Sequence, residues 1–411
     1  MEVIDPRCAG LDVHEAFVMV VCRVLDAAGR VEKQVRRYST MTADLLALAD
    51  WLTATGVTHV AMESTGVFWK PVWNLLEGHF TILLVNPRDV KQVPGRKTDV
   101  SDAAWIAQLL QHGLLKGSFV PPAPIRILRD LTRHRTTLVR DKTRVVNRIH
   151  KVLEDANIKL TAVASDILGV SGRAMLAAIV AGEIDPHVLA DLARRRLRSK
   201  VPQLEQALRG RVQPHHRWLL HSLLGQLTFL EAQVVEVERA IDEAARPFAP
   251  AVVLLQTIPG VKARATTLLA ELGAEMTVFP SAAQCASWSA ICPGQDETGG
   301  KRGSGKTRHG NRWLKAALTE AAWVAARTKG TYAAAQYRRL AARRGKKRAI
   351  VAVAHSLLIA VYHILRDGVP YHDLGPQHFD RLHPTQLAQH LVKRLERLGL
   401  RVTLEAAIAP A

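Results

Sequence analysis

The alternation of apolar and polar positions over residues 8–23 constrains the fold more than any other feature of the chain. A period of two belongs to half-buried strands, and it brackets Gly10-Leu11-Asp12 and Phe17-Val18-Met19-Val20-Val21 with a break at His14-Glu15-Ala16. Two strands joined by a tight connection are therefore expected, with a third from Val31 to Tyr38 after Gly29. The period then changes. Leu45 to Leu52 reads as a helix, His59-Val60-Ala61-Met62 as a short strand ending at Glu63-Ser64-Thr65-Gly66, Trp69 to Leu76 as a second helix, and Thr81 to Val85 as a further strand. Three meandering strands followed by alternating helix and strand predict a mixed sheet with helices packed on it.

The stretch Lys97-Thr98-Asp99-Val100-Ser101-Asp102-Ala103-Ala104-Trp105 closes this set, just past the break at Val93-Pro94-Gly95-Arg96. A helix is expected to start near Asp99, which places Asp99 and Asp102 one turn apart on the same face. Two readings stand for this pair. Asp is a favoured N-cap, and a second acid in the first turn suits the helix dipole. Two carboxylates so placed can also hold a divalent cation. Asp12 on the first strand and Glu63 at the end of the fourth add weight to the second reading. The order of elements and acids resembles an RNase H-like domain, in which such a quartet binds metal for in-line displacement at phosphorus.

The whole chain of 411 residues carries 56 Lys and Arg against 37 Asp and Glu, a formal net charge of +19. A hydrophobic content of 48% allows sizeable cores, so the excess charge points to a polyanionic partner, nucleic acid first, rather than to a disordered tail. The four cysteines (Cys8, Cys22, Cys285, Cys292) form no C-x-x-C pair, so neither a zinc module nor a disulfide framework is expected. The N-terminus lacks the basic-then-apolar form of a signal peptide. The apolar run Ala349 to Leu365 is short for a membrane span and contains His355, Ser356 and His363, which favours a buried helix. An intracellular, cytoplasmic and nucleoid-associated protein with no membrane partner is expected.

From Pro121 to about Pro247 helical periodicity dominates. Leu128 to Leu153 is a long basic helix pattern, runs follow at Gly172 to Ala181 and Val188 to Leu197, and Trp218 to Ala245 spaces Leu219, Leu223, Leu227, Leu230, Val234 and Val237 by three or four, as in coiled-coil pairing. The basic face is either solvated or in contact with a phosphate backbone. Beyond Leu254, helices are expected from Trp313 to Ala326 and from Ala349 to Leu365, the latter after a basic loop Arg343-Arg344-Gly345-Lys346-Lys347-Arg348.

The densest polar stretch runs from Pro293 to Arg312. Gly300 to Thr307 matches the P-loop pattern letter for letter, but that motif needs a buried strand before it and a helix beginning at its lysine. Pro293-Gly294 precedes it and His309-Gly310-Asn311 delays the next helix, so nucleotide hydrolysis is not expected. A nucleophile loop fits better. Lys301, Arg302, Lys306, Arg308 and Arg312 can neutralise a phosphodiester, while Thr298 and Ser304 offer hydroxyls that a metal or base can activate. A basic loop that only grips DNA remains the alternative.

Gly10-Leu11-Asp12-Val13-His14, Glu63-Ser64-Thr65-Gly66, Asn86-Pro87 through Lys97 to Ala103, Ile258-Pro259-Gly260-Val261 and the Gly299–Asn311 loop together resemble the DEDD insertion-sequence transposases of the IS110 family, which include the Piv-type invertases. The resemblance spans nearly the whole chain in the same order. It implies an α/β plus all-α chain: a RuvC-like (RNase H-like) DEDD domain over 1–120, a helical, coiled-coil region over 121–250, a mostly helical C-terminal transposase domain with a nucleophile loop over 251–370, and a tail over 371–411. It further implies Mg²⁺ (or Mn²⁺) on Asp12, Glu63, Asp99 and Asp102, a nucleophilic serine forming a covalent link to DNA, and a homo-oligomer, dimer or tetramer, whose site is shared between protomers. A structured guide RNA that pairs with donor and target DNA is implied as well. The sequence departs from the family at the nucleophile: Thr298 stands where the serine is expected, and Ser304 is the nearest serine. Two other activities compete with recombination: a RuvC-like resolvase using activated water, and a non-catalytic nucleic-acid-binding protein.

Overall fold

The computed structural model describes residues 2–64, 66–87, 90, 102–294, 297–302, 306–382 and 384–405. The chain splits into two compact units, Met1–Pro121 and Pro122–Ala411.

The first unit runs β1 (Arg7–Val13), β2 (Phe17–Leu25), β3 (Val31–Ser39), α1 (Thr42–Ala54), β4 (His59–Glu63), α2 (Trp69–Leu76), β5 (Thr81–Val85) and α3 (Asp102–Gln111). The strands form one sheet in the order β3-β2-β1-β4-β5. β1 pairs antiparallel with β2 and parallel with β4, and β4 pairs parallel with β5. The alternation in the sequence sorts the side chains onto two faces. Leu11, Val13, Val18, Val20, Met62 and Leu84 meet Leu45, Leu48 and Leu52 of α1 and Val72 and Leu76 of α2. On the other face Cys8, Ala61 and Val85 meet Ile106, Leu109 and Leu110 of α3, and Val21 meets Ala103 and Ala107. Gly10 makes the second contact possible. A Cβ there would fall 2.3 Å from the Ala103 carbonyl oxygen and 2.4 Å from the Ala107 nitrogen, so only glycine lets α3 lie this close to β1. The outer strand β3 exposes Glu32, Lys33, Arg36 and Arg37, charges that discourage further strand addition.

The second unit begins with α4 (Ala123–Asp155), followed by α5 (Leu160–Val163), α6 (Val170–Ala181), α7 (Pro186–Asp191), α8 (Val201–Leu208) and α9 (Pro214–Ala245). The two long helices α4 and α9 run antiparallel. Arg135 pairs with Glu238, Lys142 with Glu231 and Asp155 with His216, so rising numbers on one helix meet falling numbers on the other. Leu138 is buried on α4, and Val145, Ile149 and Leu153 pack with Leu220, Leu223 and Leu227 of α9. At the far end the same core takes in Leu160, Met175, Leu176, Ile179, Leu189 and Leu204 from the short helices between them. The run expected from Val188 to Leu197 does not stay helical. α7 ends at Asp191, and Arg195 adopts φ 51, a left-handed conformation that an α-helix cannot accommodate.

The rest of the unit holds α10 (Ala249–Gln256), α11 (Ala265–Leu272), α12 (Ala282–Trp288), the two-residue strands β6 (Glu297–Thr298) and β7 (Lys301–Arg302), α13 (Arg312–Arg327), α14 (Tyr332–Arg344), α15 (Lys346–Asp367), α16 (His378–Leu382) and α17 (Pro384–Glu396). The basic stretch expected as a loop is not one. Arg343 and Arg344 end α14, Lys346, Lys347 and Arg348 begin α15, and Gly345 alone joins them at φ 81. Among the described residues α15 is the one helix long and apolar enough to cross a membrane, but half of its apolar window is buried inside the protein. Val353, Leu357, Leu358 and Val361 are buried, and Tyr362 donates its hydroxyl hydrogen to the Phe279 carbonyl at 2.9 Å, which marks a core helix.

Candidate active site

In the first unit, backbone register brings two of the expected acids together. The parallel pairing sets Leu11 beside Met62, so the next residues along, Asp12 and Glu63, stand side by side at the carboxyl ends of adjacent strands and on the same face. That is the α3 face, because Cys8 and Ala61 share it. α3 runs against β1: the Cys8 thiol donates to the Ala107 carbonyl at 3.5 Å, while Gly10 approaches Ala103. The start of α3, and with it Asp102, is thereby directed toward the end of β1 that carries Asp12. Asp102 is exposed in the first turn of α3. Asp99 lies outside the described residues. His14, which the sequence reading did not single out, places its Nε2 3.1 Å from Asp12 Oδ2 and stacks on Phe17 with centroids 4.4 Å apart. Its sequence signal is the Asp-x-His spacing, which in an extended chain puts both side chains on one side.

In the second unit the polar stretch folds as a β-ribbon. Pro293 bridges Thr307, and the Gly294 N–H donates to the Lys306 carbonyl at 3.0 Å, closing the base. Thr298 pairs with Lys301 across Gly299 and Gly300, whose φ values of 59 and 76 make the tip a two-residue turn of the kind that needs glycine at both positions. A ribbon is not the strand–loop–helix of a phosphate-binding P-loop, in keeping with the rejection of that motif. Thr298 thus sits at the shoulder of the turn, Lys301 opposite it is exposed, and Ser304 lies outside the described residues. Arg302 belongs to the returning strand. Lys306 and Arg308 are exposed on the outgoing limb, and Arg308 donates to the Ser287 carbonyl and Oγ at 3.1 and 2.8 Å.

The limb ends on a buried carboxylate. Asn311 Oδ1 caps α13 by accepting from the amides of Trp313 and Leu314, and its Nδ2 donates to Glu271 Oε2 at 2.6 Å. Glu271 is fully buried on α11 and takes two bonds of 2.7 Å from Arg133 of α4. Arg129 donates to the carbonyls of Ala270 and Glu271; burial pulls its guanidinium below the usual range, while the Glu271 carboxylate pulls the other way. Beside this hub Arg140 and Arg312 lie 5.0 and 4.8 Å from the Trp313 ring. Glu271 falls within an apolar helical run, and its partner on α4 is 138 residues away, so nothing in the local sequence marks it.

One group of three metal-capable side chains occurs among the described residues: Asp155, His215 and His216. His216 Nδ1 accepts from the Gln213 N–H at 3.1 Å, which leaves its Nε2–H to donate to Asp155 at 2.9 Å. Nδ1 is engaged in the cap of α9 and Nε2 in the bond to Asp155 at the end of α4, so His216 presents no lone pair to a cation.

A family model for transposases of the DEDD IS110 type matches residues 9–158. A second, described as "Transposase IS116/IS110/IS902 family", matches residues 252–338. A "Probable family 20 transposase" from Pseudomonas aeruginosa is 26% identical over 265 residues, which cover 64% of this chain and 70% of that relative. The first match takes in the strands that carry Asp12 and Glu63, the second the whole ribbon from Pro293 to Thr307 and its anchor at Asn311. The two fall in the same order as the two units, and the chain belongs to the IS110-type insertion-sequence transposases.

Proposed function

We propose that the chain cuts and rejoins DNA at insertion-sequence ends by a hydroxyl nucleophile on the ribbon, assisted by Mg²⁺. The observation that carries this reading is the register that stands Asp12 beside Glu63 at the end of the sheet toward which α3 directs Asp102. That set of elements, three meandering strands and then β4 and β5 with helices on both faces, also supports an RNase H-like first domain, followed by the helical region and the C-terminal transposase domain. The donor set fits the ion: carboxylate oxygens are the hard ligands that Mg²⁺, or Mn²⁺ in its place, prefers. Asp12, Glu63, Asp99 and Asp102 would hold it. Bound there, it supplies Lewis-acid stabilisation of charge on phosphoryl oxygens.

The chain's own groups do the rest. His14 orients the Asp12 carboxylate. Lys301, Arg302, Lys306, Arg308 and Arg312 draw in the phosphodiester backbone. The hydroxyl of Thr298, or of Ser304, forms a bond to phosphorus as the bond to the leaving nucleoside oxygen breaks, and the hydroxyl proton is balanced by the proton the leaving oxygen takes up. One phosphodiester replaces another, so a second DNA hydroxyl can reverse the step and rejoin strands without nucleotide hydrolysis. Guidance by a structured RNA, assembly as a dimer or tetramer and residence in the cytoplasm with the nucleoid complete the proposal.

A denaturing gel tests it. Purified protein, element-end DNA and the RNA encoded in the element's flank are incubated with Mg²⁺, for wild type, Thr298→Ala, Ser304→Ala and Asp102→Asn. A protein–DNA adduct lost in one of the two hydroxyl variants, and in Asp102→Asn, is expected. Cleaved DNA with no adduct would replace the hydroxyl nucleophile with water, and products unaffected by Asp102→Asn would remove the acids from the chemistry.

A further inference from the structure

The start of α15 is built against its own electrostatics. The amino end of a helix is positive, so its first turn favours carboxylates and disfavours cations. Here Lys346, Lys347 and Arg348 fill the first three positions, and the N-cap, Gly345, has no side chain to accept from the free amides. Lys347 and Arg348 are exposed and meet no carboxylate among the described residues. Three cations added to three unsatisfied N–H groups make a strongly positive point, with no carboxylate paired to Lys347 or Arg348 among the described residues.

That point opens on a cavity of about 980 Å³ that also reaches the base of the ribbon at Pro293, Lys306 and Thr307. Its described lining holds no acid. Its lining has an apolar part, Ile291, Val351 and Ala352, and a polar part, where Gln336 Nε2 donates to Ser356 Oγ at 2.8 Å. Gln336 Oε1 is covered by neighbouring atoms and accepts no hydrogen bond. Gln336 belongs to the cavity lining, so a rotation of its amide would offer this oxygen to an incoming donor. His355, also in the lining, is held below the usual imidazole range by burial and adds a neutral ring rather than another charge.

We propose that this cavity receives one unstacked nucleotide of a nucleic-acid strand, with its phosphate at Lys347 and Arg348 on the start of α15, its base against the apolar part of the lining, and a base N–H donated to Gln336. Cations alone would fit any polyanion; the apolar lining and the unmet acceptor select a nucleotide, because every nucleobase has flat apolar faces and an N–H donor. The size agrees, since sites for small ligands span about 300–1,000 Å³. The nucleotide as ligand rests on the reading of the ribbon as a DNA-engaging loop; the cavity and its charge do not. The site would hold a displaced nucleotide next to the ribbon base, where strand exchange unpairs bases.

Saturation-transfer NMR on the full-length protein tests this with two probes, dAMP and 2-deoxyribose 5-phosphate. dAMP is expected to saturate and to bind at least fivefold more tightly than the sugar phosphate. The K347E/R348E double variant should lose at least tenfold in dAMP affinity, while its Tm stays the same or rises, because carboxylates suit the first turn of α15. Gln336→Met should weaken dAMP binding severalfold and leave the sugar phosphate unchanged. Equal affinity for the two probes, undiminished dAMP binding in K347E/R348E, or no saturable binding of either probe would each overturn the proposal. The measurement needs neither cleavage nor an adduct, so the covalent chemistry can fail while the cavity binds, and the reverse.

Discussion

At the scale of single residues, burial decides which groups can react and which are held. Burial pushes the thiols of Cys8 and Cys22 up to about 12 and that of Cys285 up to about 11. Near neutral pH these three carry almost no thiolate, the form that alkylates, whereas Cys292 is only half-buried. A maleimide is therefore expected to label one thiol per native chain and four after denaturation, counted by intact mass. Glu271 is the opposite case, a buried charge whose partners all converge on it. Glu271→Ala leaves Arg133 and Asn311 facing an empty site, and the loss should lie toward the lower end of ~3–5 kcal/mol, because Arg133 keeps 31% of its side chain exposed. Chemical denaturation reads that loss directly.

At the scale of elements, two glycines give opposite signs. Gly10→Ala drives a methyl into the backbone of α3 and should cost about 3 kcal/mol or more, since neither Ala103 nor Ala107 can move without the helix. Gly225 sits inside α9 with nothing within 4 Å of an added Cβ, so Gly225→Ala should stabilise by about 1 kcal/mol. Thermal melts of the two variants check both signs. The elements themselves were largely legible in the sequence. The strands expected around His14 and from Val31, His59 and Thr81 appear with their ends shifted by a residue or two, because a period of two is a strong local signal. What escaped was set elsewhere. α9 begins at Pro214, under a cap formed by Gln213 and His216 rather than by the usual Ser, Thr, Asp or Asn. The ribbon strands β6 and β7 are two residues long, too short for any alternation to register. α14 is alanine- and arginine-rich with few large apolar residues, and it ends on Gly345, so the basic run across that glycine reads as a loop. The adjacency of Asp12 and Glu63 was legible because the strand pattern sets their register; the partners of Glu271 were not, because Arg133 and Asn311 lie far from it in the chain.

At the scale of the whole molecule, each unit carries its own hydrophobic core, and that of Met1–Pro121 is closed on both faces of its sheet. A fragment of residues 1–121 is expected to unfold cooperatively on its own, with circular dichroism showing a single sigmoidal melt; a broad, non-cooperative trace would mean that its core is incomplete. The second unit has a mechanical property that follows from its longest elements. α4 has 33 residues, which at 1.5 Å per residue is about 50 Å of continuous helix. It is braced along its length by α9 through two charged pairs and the His216–Asp155 hydrogen bond, and it carries a compact apolar knot at its far end. Treated as a rigid rod pivoting at the Arg133–Glu271 contact, the helix would carry the knot, about 33 Å away, through roughly 6 Å for a tilt of about 10°. Because Asn311 bonds Glu271 at that pivot, a swing at the tip would reach the ribbon anchor only as a much smaller displacement.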